Sequence, residues 1–213
     1  MSLDMPARGS DAYKPTSLFE LRHASTHRLL FVVVPERRLL AINGAGPRGA
    51  VDFRLATTLL RTVGAIVRGK LPRVRRGEPL RALLEVTWPI EPGLTPDEVI
   101  EALSSPAPRW RQMIELPQAA TESMVVEAIA EARRLGARDL ALVRLIHLTE
   151  GPAVQILHLG NDDELGSIRK LFDLVGESGF LASGDLHELV IADPTAVGRG
   201  RARSILRVPI AYG

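Results

Sequence analysis

Two glutamates and two tryptophans carry most of the chemistry this sequence offers. Glu188 stands in the apolar run His187-Glu188-Leu189-Val190-Ile191-Ala192, and Glu85 in Leu83-Leu84-Glu85-Val86-Thr87-Trp88. Both runs read as strands. Alternation puts Glu188, Val190 and Ala192 on one face and His187, Leu189 and Ile191 on the other. It likewise separates Leu83, Glu85 and Thr87 from Leu84, Val86 and Trp88. With Leu189 and Ile191 packed under a helix, Glu188 would point into an open groove. A carboxylate among apolar side chains needs a cation or a donor. It would suit a cationic ligand, or act as a general acid or base with a raised pKa. Glu85 is a second candidate groove carboxylate at the matching place in the first half, and two carboxylates sharing a groove raise one pKa. Trp88 and Trp110 flank the loop 89–109, and either indole offers a flat apolar wall. The competing reading is plain: solvated glutamates on half-exposed strands, and indoles in a core.

Other chemistries are excluded or weak. Cysteine is absent, which removes disulfides, thiolate nucleophiles and Cys-based metal sites. Of the five histidines (His23, His27, His147, His158, His187), no pair has metal-ligand spacing on a helix. His147, His158 and His187 lie on separate strands and would have to converge in space to bind anything together. No Gly-x-Ser-x-Gly elbow occurs. The turn Asn43-Gly44-Ala45-Gly46-Pro47-Arg48-Gly49 is glycine-rich, but it has neither the dinucleotide pattern nor the Gly-Lys-Ser/Thr ending of a P-loop. No metal and no cofactor is implied.

The elements that must position these residues form two similar series. The first is strand 39–43, a glycine turn, helix 51–67 with Leu55, Leu59, Val63 and Val67 as its stripe, strand 83–88 and strand 110–116. The second is strand 154–159, Gly160, helix 163–175, strand 187–192 and strand 204–208. Thr95-Pro96-Asp97-Glu98 has the cap, proline and acidic residue of a short helix start. A helix over 121–135 and a strand over 139–147 connect the series. Each series is strand-helix-strand-strand, which points to a duplicated α+β module. The expected fold is antiparallel sheet with helices on one face and a ligand groove on the other. Residues 1–16 read as a flexible leader. Residues 17–213 read as a single domain, with module one at about 29–117 and module two at about 153–210.

Composition fits such a domain. The chain has 213 residues, 46% of them hydrophobic and 24% charged, with a net charge of +2. That balance gives no case for nucleic acid as a partner, although arginines are dense at 68–81 and 199–207, where solvated loops are the simpler reading. No segment has the roughly 18 apolar residues of a membrane span. A cytoplasmic protein is expected.

Three motifs carry a family resemblance: Gln155-Ile156-Leu157-His158-Leu159-Gly160; His187-Glu188-Leu189 with Ala192-Asp193-Pro194; and Ile205-Leu206-Arg207-Val208-Pro209. With weaker segments at Leu40–Gly46 and Glu78-Pro79-Leu80, they resemble the GyrI-like small-molecule-binding family, which is related to effector-binding domains of multidrug-sensing regulators. The resemblance implies a duplicated fold with a groove between halves, and places the family's pocket carboxylate at Glu188. It implies a small apolar or cationic ligand, such as a xenobiotic. A hydrolase opening the cyclopropane ring of DNA-alkylating drugs, or a protein-binding modulator, are its other readings. The family's aromatic positions hold Leu84, Glu85, Val190 and Asn161 here. The missing tyrosines remove obvious donors for hydrolysis and favour a binder. No helix-turn-helix is recognisable, so a stand-alone ligand-binding module is expected. The sequence leaves the oligomeric state open.

Overall fold

The computed structural model describes residues 30–71 and 83–212. The expected leader 1–16, His23, His27, the Glu78-Pro79-Leu80 segment and most of the first arginine-dense stretch lie outside the described residues.

The chain runs β1 (Leu30–Val34), β2 (Arg37–Ala45), α1 (Val51–Lys70), β3 (Leu84–Trp88), α2 (Pro96–Leu103), β4 (Arg109–Glu115) and α3 (Glu122–Arg134). It continues through β5 (Arg144–Leu148), β6 (Gly151–Leu159), α4 (Glu164–Glu177), β7 (Phe180–Ala182), β8 (Leu186–Ala192) and β9 (Arg203–Tyr212). This is the α+β architecture expected.

Helix ends follow local chemistry. Thr95 and Glu98 form a reciprocal capping box at α2, with Pro96 in the first turn. Asp163 caps α4 by accepting from the Gly166 amide at 3.0 Å. In α1 the buried stripe is Phe53, Ala56, Leu59, Leu60, Val63 and Val67, while Leu55, expected within it, is 38% exposed. The segment expected as strand from 139 instead starts with Asp139 at φ 56° and a 3₁₀ turn, Leu140–Leu142. That turn buries both Leu140 and Val143. A strand would have sent residues three apart to opposite faces.

One antiparallel sheet takes in the strands in the order β1-β6-β9-β8-β3-β4-β2-β5, with β7 added alongside β9. Its centre is palindromic. The second module contributes first-third-second strand (β6-β9-β8), and the first module second-third-first (β3-β4-β2). A twofold relation normal to the sheet therefore passes through the β3–β8 seam, where Val86 lies opposite Glu188. Such a rotation keeps side chains on their own face. The counterpart of Glu188 must then come from Leu84, Val86 or Trp88, and not from Glu85. The expected pairing of Glu85 with Glu188 is off by one residue, which in a strand changes the face.

The core lies on one face of the sheet. Leu40, Ile42, Leu84, Val86, Trp88, Ile114, Val154, Ile156, Leu186 and Leu206 meet the apolar sides of α1, α3 and α4 there. On the other face, Leu39, Ala41 and Met113 make a smaller cluster with Ile146 and Leu148. Among the described residues no helix is long and apolar enough to cross a membrane.

Candidate functional site

A cavity of about 320 Å³ opens between the two modules. Its floor is the helix-bearing face of the sheet at Trp88, Leu186, Glu188 and Leu206. Its walls are Glu164, Leu165 and Ile168 from α4, Leu103 to Ser105 at the end of α2, and Pro47, Arg48 and Pro108. The groove expected on the bare side of the sheet therefore lies between the helices instead. Leu186 and Val190 share the Glu188 face and pack toward the helical core, whereas Leu189 and Ile191 turn away from it. Both faces of β8 are apolar, so alternation separates the faces without saying which one a helix covers.

Glu188 is only 6% exposed. Its partner is Arg48, whose Nη2 donates to Glu188 Oε2 and also reaches Glu164 Oε1 at 3.0 Å. The Arg48 guanidinium lies over the Trp88 ring, 5.4 Å from its centroid. Burial works against the charged form of Arg48, but the Glu188 and Glu164 carboxylates outweigh it and raise its pKa. The residue projects from the turn between β2 and α1, where Gly46 (φ 111°) and Gly49 (φ 81°) hold conformations that side chains resist. The site is a carboxylate at the bottom of an apolar slot, closed by a planar cation against an indole.

The other expected site residues are distributed differently. Trp110 is buried at 3% exposure, edge-on to Phe53 at 5.2 Å; Phe53 in turn stacks with Trp88 at 6.3 Å. Trp110 thus supports the wall from beneath without lining the cavity. Val190 packs against the core beside the site and is not among the lining residues. Glu85 does not face the groove at all. The three strand histidines do not converge: His147 pairs with Glu36, His158 with Ser167, and His187 with Glu150. Among the described residues no cluster suits a metal ion. Arg48 is the residue the sequence reading missed; it was seen only as part of a glycine turn.

Glu85 belongs to a buried ion network on the opposite face. Arg37 Nη1 and Nη2 donate to Glu85 Oε1 and Oε2 at 2.9 and 2.8 Å, a bidentate pair. His187 lies between two carboxylates, with Nε2 2.9 Å from Glu85 and Nδ1 2.8 Å from Glu150. Arg207 donates from Nε to Gln155 Oε1 at 2.9 Å and reaches Glu150 at 3.3 Å. Arg207, read from sequence as part of a solvated arginine stretch, is therefore fully buried, because β9 alternation turns it to this face. Arg37 also approaches Glu150, at 3.4 Å. Strands β2 and β8 are three positions apart in the sheet, roughly 14 Å if flat. The sheet must therefore curl for Glu150, in the β5–β6 turn, to reach both Arg37 and His187.

This network makes folding stability depend on pH. Burial pushes Glu85 up, but the neighbouring Arg37 and His187 charges outweigh it and hold its carboxyl well below the usual range. The same opposition, with His187 the main counter-charge, leaves Glu150 at about 2. For His187, burial lowers the pKa, while Glu150 and Glu85 together raise it above the ordinary 6.5. Glu115, at the rim, is raised by burial despite Arg37, and slightly offsets the others. Depressed carboxylates stabilise above their unfolded value and lose that contribution as pH falls toward the folded one. A raised histidine stabilises below its unfolded value and loses it as pH climbs. Urea unfolding midpoints should therefore be highest from about pH 4.5 to 6.5, the ordinary values of the two groups, and decline on both sides. A midpoint that rises steadily above pH 6.5 contradicts this assignment, and His187→Gln should flatten the alkaline decline.

No protein-family model and no curated protein matches the chain. Solved structures do. A hydrolase from Listeria innocua shares the fold with a TM-score of 0.70 at 20% identity, over 91% of this chain and 96% of that one. An uncharacterized conserved protein from Listeria innocua gives 0.72 at 22% identity, over 91% and 98%. The EcmrR C-terminal domain gives 0.57 at 12% identity, over 87% and 98%. These likenesses establish a common fold and are consistent with the GyrI-like fold that the sequence motifs imply.

Proposed function

We propose that this protein binds small, flat, apolar compounds carrying a positive charge, with Glu188 as the recognising carboxylate. One observation carries the reading: the slot already holds a planar cation, the Arg48 guanidinium, stacked on Trp88 and bonded to Glu188. A ligand presenting the same chemistry would find its ring face, its counter-charge and its apolar walls in place. At about 320 Å³ the cavity suits two or three fused rings. Its size sits at the low end of the roughly 300–1,000 Å³ of ligand pockets.

N-methylacridinium and neutral acridine, nearly identical in shape, test this. Glu188→Gln should weaken the cation by roughly tenfold to a hundredfold, since its quaternary nitrogen has no N–H and is held by charge alone, an attraction of about 1–4 kcal/mol at 4 Å. The neutral probe should lose nothing. Equal losses for both by calorimetry would mean that Glu188 acts through structure and not through charge.

A second reading, hydrolysis, is favoured by the same pair seen differently. Glu188 would take the proton of an attacking water, and Arg48 would steady the negative charge that develops opposite. Arg48 supplies the donor that the absent tyrosines do not, and the fold neighbours include a Listeria innocua hydrolase. Turnover of a strained-ring substrate by the wild type, with binding but no turnover by Glu188→Gln, would establish this reading over the first.

A further inference from the structure

We infer that Arg48 is a built-in competitor for the cation site, so that the groove is self-closed and the ligand enters only when the Arg48 arm swings out. This rests on the cationic-ligand reading above and concerns how that same site is regulated.

The observation is the mismatch between how Arg48 is held at its two ends. The guanidinium is tied to Glu188 and Glu164 and lies over Trp88. The rest of the residue belongs to an exposed turn, and 35% of the side chain remains accessible. That turn is anchored by few bonds: the Gly46 amide to Pro108 O at 3.0 Å, the Ala50 amide to Pro47 O at 3.1 Å, and Arg54 to Gly49 O. Gly46 and Gly49 bracket Arg48 at positive φ, and each has nothing within 4 Å of where a Cβ would stand. Glycines there let the turn re-aim without collision. The far end has two carboxylates, so the arm can leave Glu188 while keeping its bond to the more exposed Glu164. Glu164 thus acts as a parking position at the rim.

The physical consequence is a change in what selects the ligand. Glu188 is not an unpaired buried charge awaiting a cation, because Arg48 already satisfies it. A neutral ring would have to share the slot with the guanidinium or expel it, leaving a carboxylate buried and unpaired. A cation that expels Arg48 restores the pairing. The closed arm therefore rejects neutral aromatics more strongly than cationic ones, and it lowers the apparent affinity for every ligand by the fraction of time it is open.

The test is titration of N-methylacridinium and acridine into wild type, Arg48→Ala and Arg48→Lys, with thermal unfolding to confirm that each variant folds. With the arm closed nine times in ten, Arg48→Ala should bind N-methylacridinium roughly tenfold more tightly. Stopped-flow association should also lose the saturation with probe concentration that arm opening imposes on the wild type. Arg48→Lys keeps the charge but not the flat fork, and should fall between. Weaker binding of N-methylacridinium by Arg48→Ala overturns the gate alone, since Arg48 is then part of the wall that holds the ligand. Absence of binding by both probes to all three proteins overturns the gate together with the ligand reading. Equal affinity in wild type and Arg48→Ala, with no saturation in either, also overturns the gate.

Discussion

Replacing Arg37 with leucine should lower folding stability by about 3–5 kcal/mol, the range found when one partner of a buried ion pair is removed. Arg37 and Glu85 side chains are each 2% exposed and joined by two hydrogen bonds. Without the guanidinium, Glu85 keeps His187 as its cation among the described residues, while Glu150 loses one of its cations and Glu115 its 3.5 Å neighbour. The damage is not lost attraction but stranded charge, and that distinction can be measured. Arg37→Leu combined with Glu85→Leu removes both charges and should recover a large part of the loss. Urea denaturation of the two single variants and the double decides it. A single-variant loss under about 1 kcal/mol, as for a solvent-screened pair, would mean that water reaches this network.

Gly44→Val should cost about 3 kcal/mol or more, a large effect for a substitution on β2 that touches no charge. Gly44 lies directly across from Trp110 in the β2–β4 ladder, and the indole rests on the space a side chain would fill. An added Cβ would stand 2.2 Å from Trp110 Cη2. The ring cannot tilt away freely, because Phe53 meets it edge-on. Overpacking costs about 1–3 kcal/mol where neighbours can give, and losing the burial of a large aromatic costs about 3–5; here the strand leaves little choice but the second. Since Phe53 also stacks on Trp88, the disturbance should reach the cavity and weaken probe binding as well. Pairing Gly44→Val with Trp110→Leu should be less harmful than the sum of the two. A Gly44→Val midpoint within 0.5 kcal/mol of wild type, the usual range of surface changes, would show that Trp110 packs elsewhere.

What could be read in the sequence was local. The Thr95–Glu98 capping box, the helices after Gly49 and Asp163, and the alternation of β3 and β8 rest on residues near one another in the chain, and the structure shows them. The duplicated order was legible because each module repeats the same local signals. What alternation could not supply was the side of the sheet each face turns to. In β8, Leu186 and Val190 are as apolar as Leu189 and Ile191, so the groove was placed on the wrong side. Arg48 and Glu188 are separated by 140 positions, and only the tertiary fold makes them neighbours. A signal for the ion network did exist. Glu85, His187, Gln155 and Arg207 are polar residues inside otherwise apolar strands, and all stand at the position in the alternation that faces away from the helices. Read one at a time, Glu85 and Arg207 passed for solvated residues, and His187 and Gln155 drew no reading as buried polar groups. Read together, they mark a second buried face.

The outer strands tie the two modules together in a way that bears on how the chain reaches this state. β1, which opens the first module, pairs with β6 of the second, while β5, which leads into the second, pairs with β2 of the first. Each half therefore borrows a strand that the other half's sequence delivers. The first half cannot complete its sheet before β5 has followed its own three strands, and β1 must wait for residues more than a hundred positions away. Contacts of that sequence separation are slow to form, because loop closure comes before any reward. Folding should consequently be slow, with β1 docking only after the second repeat has supplied β6.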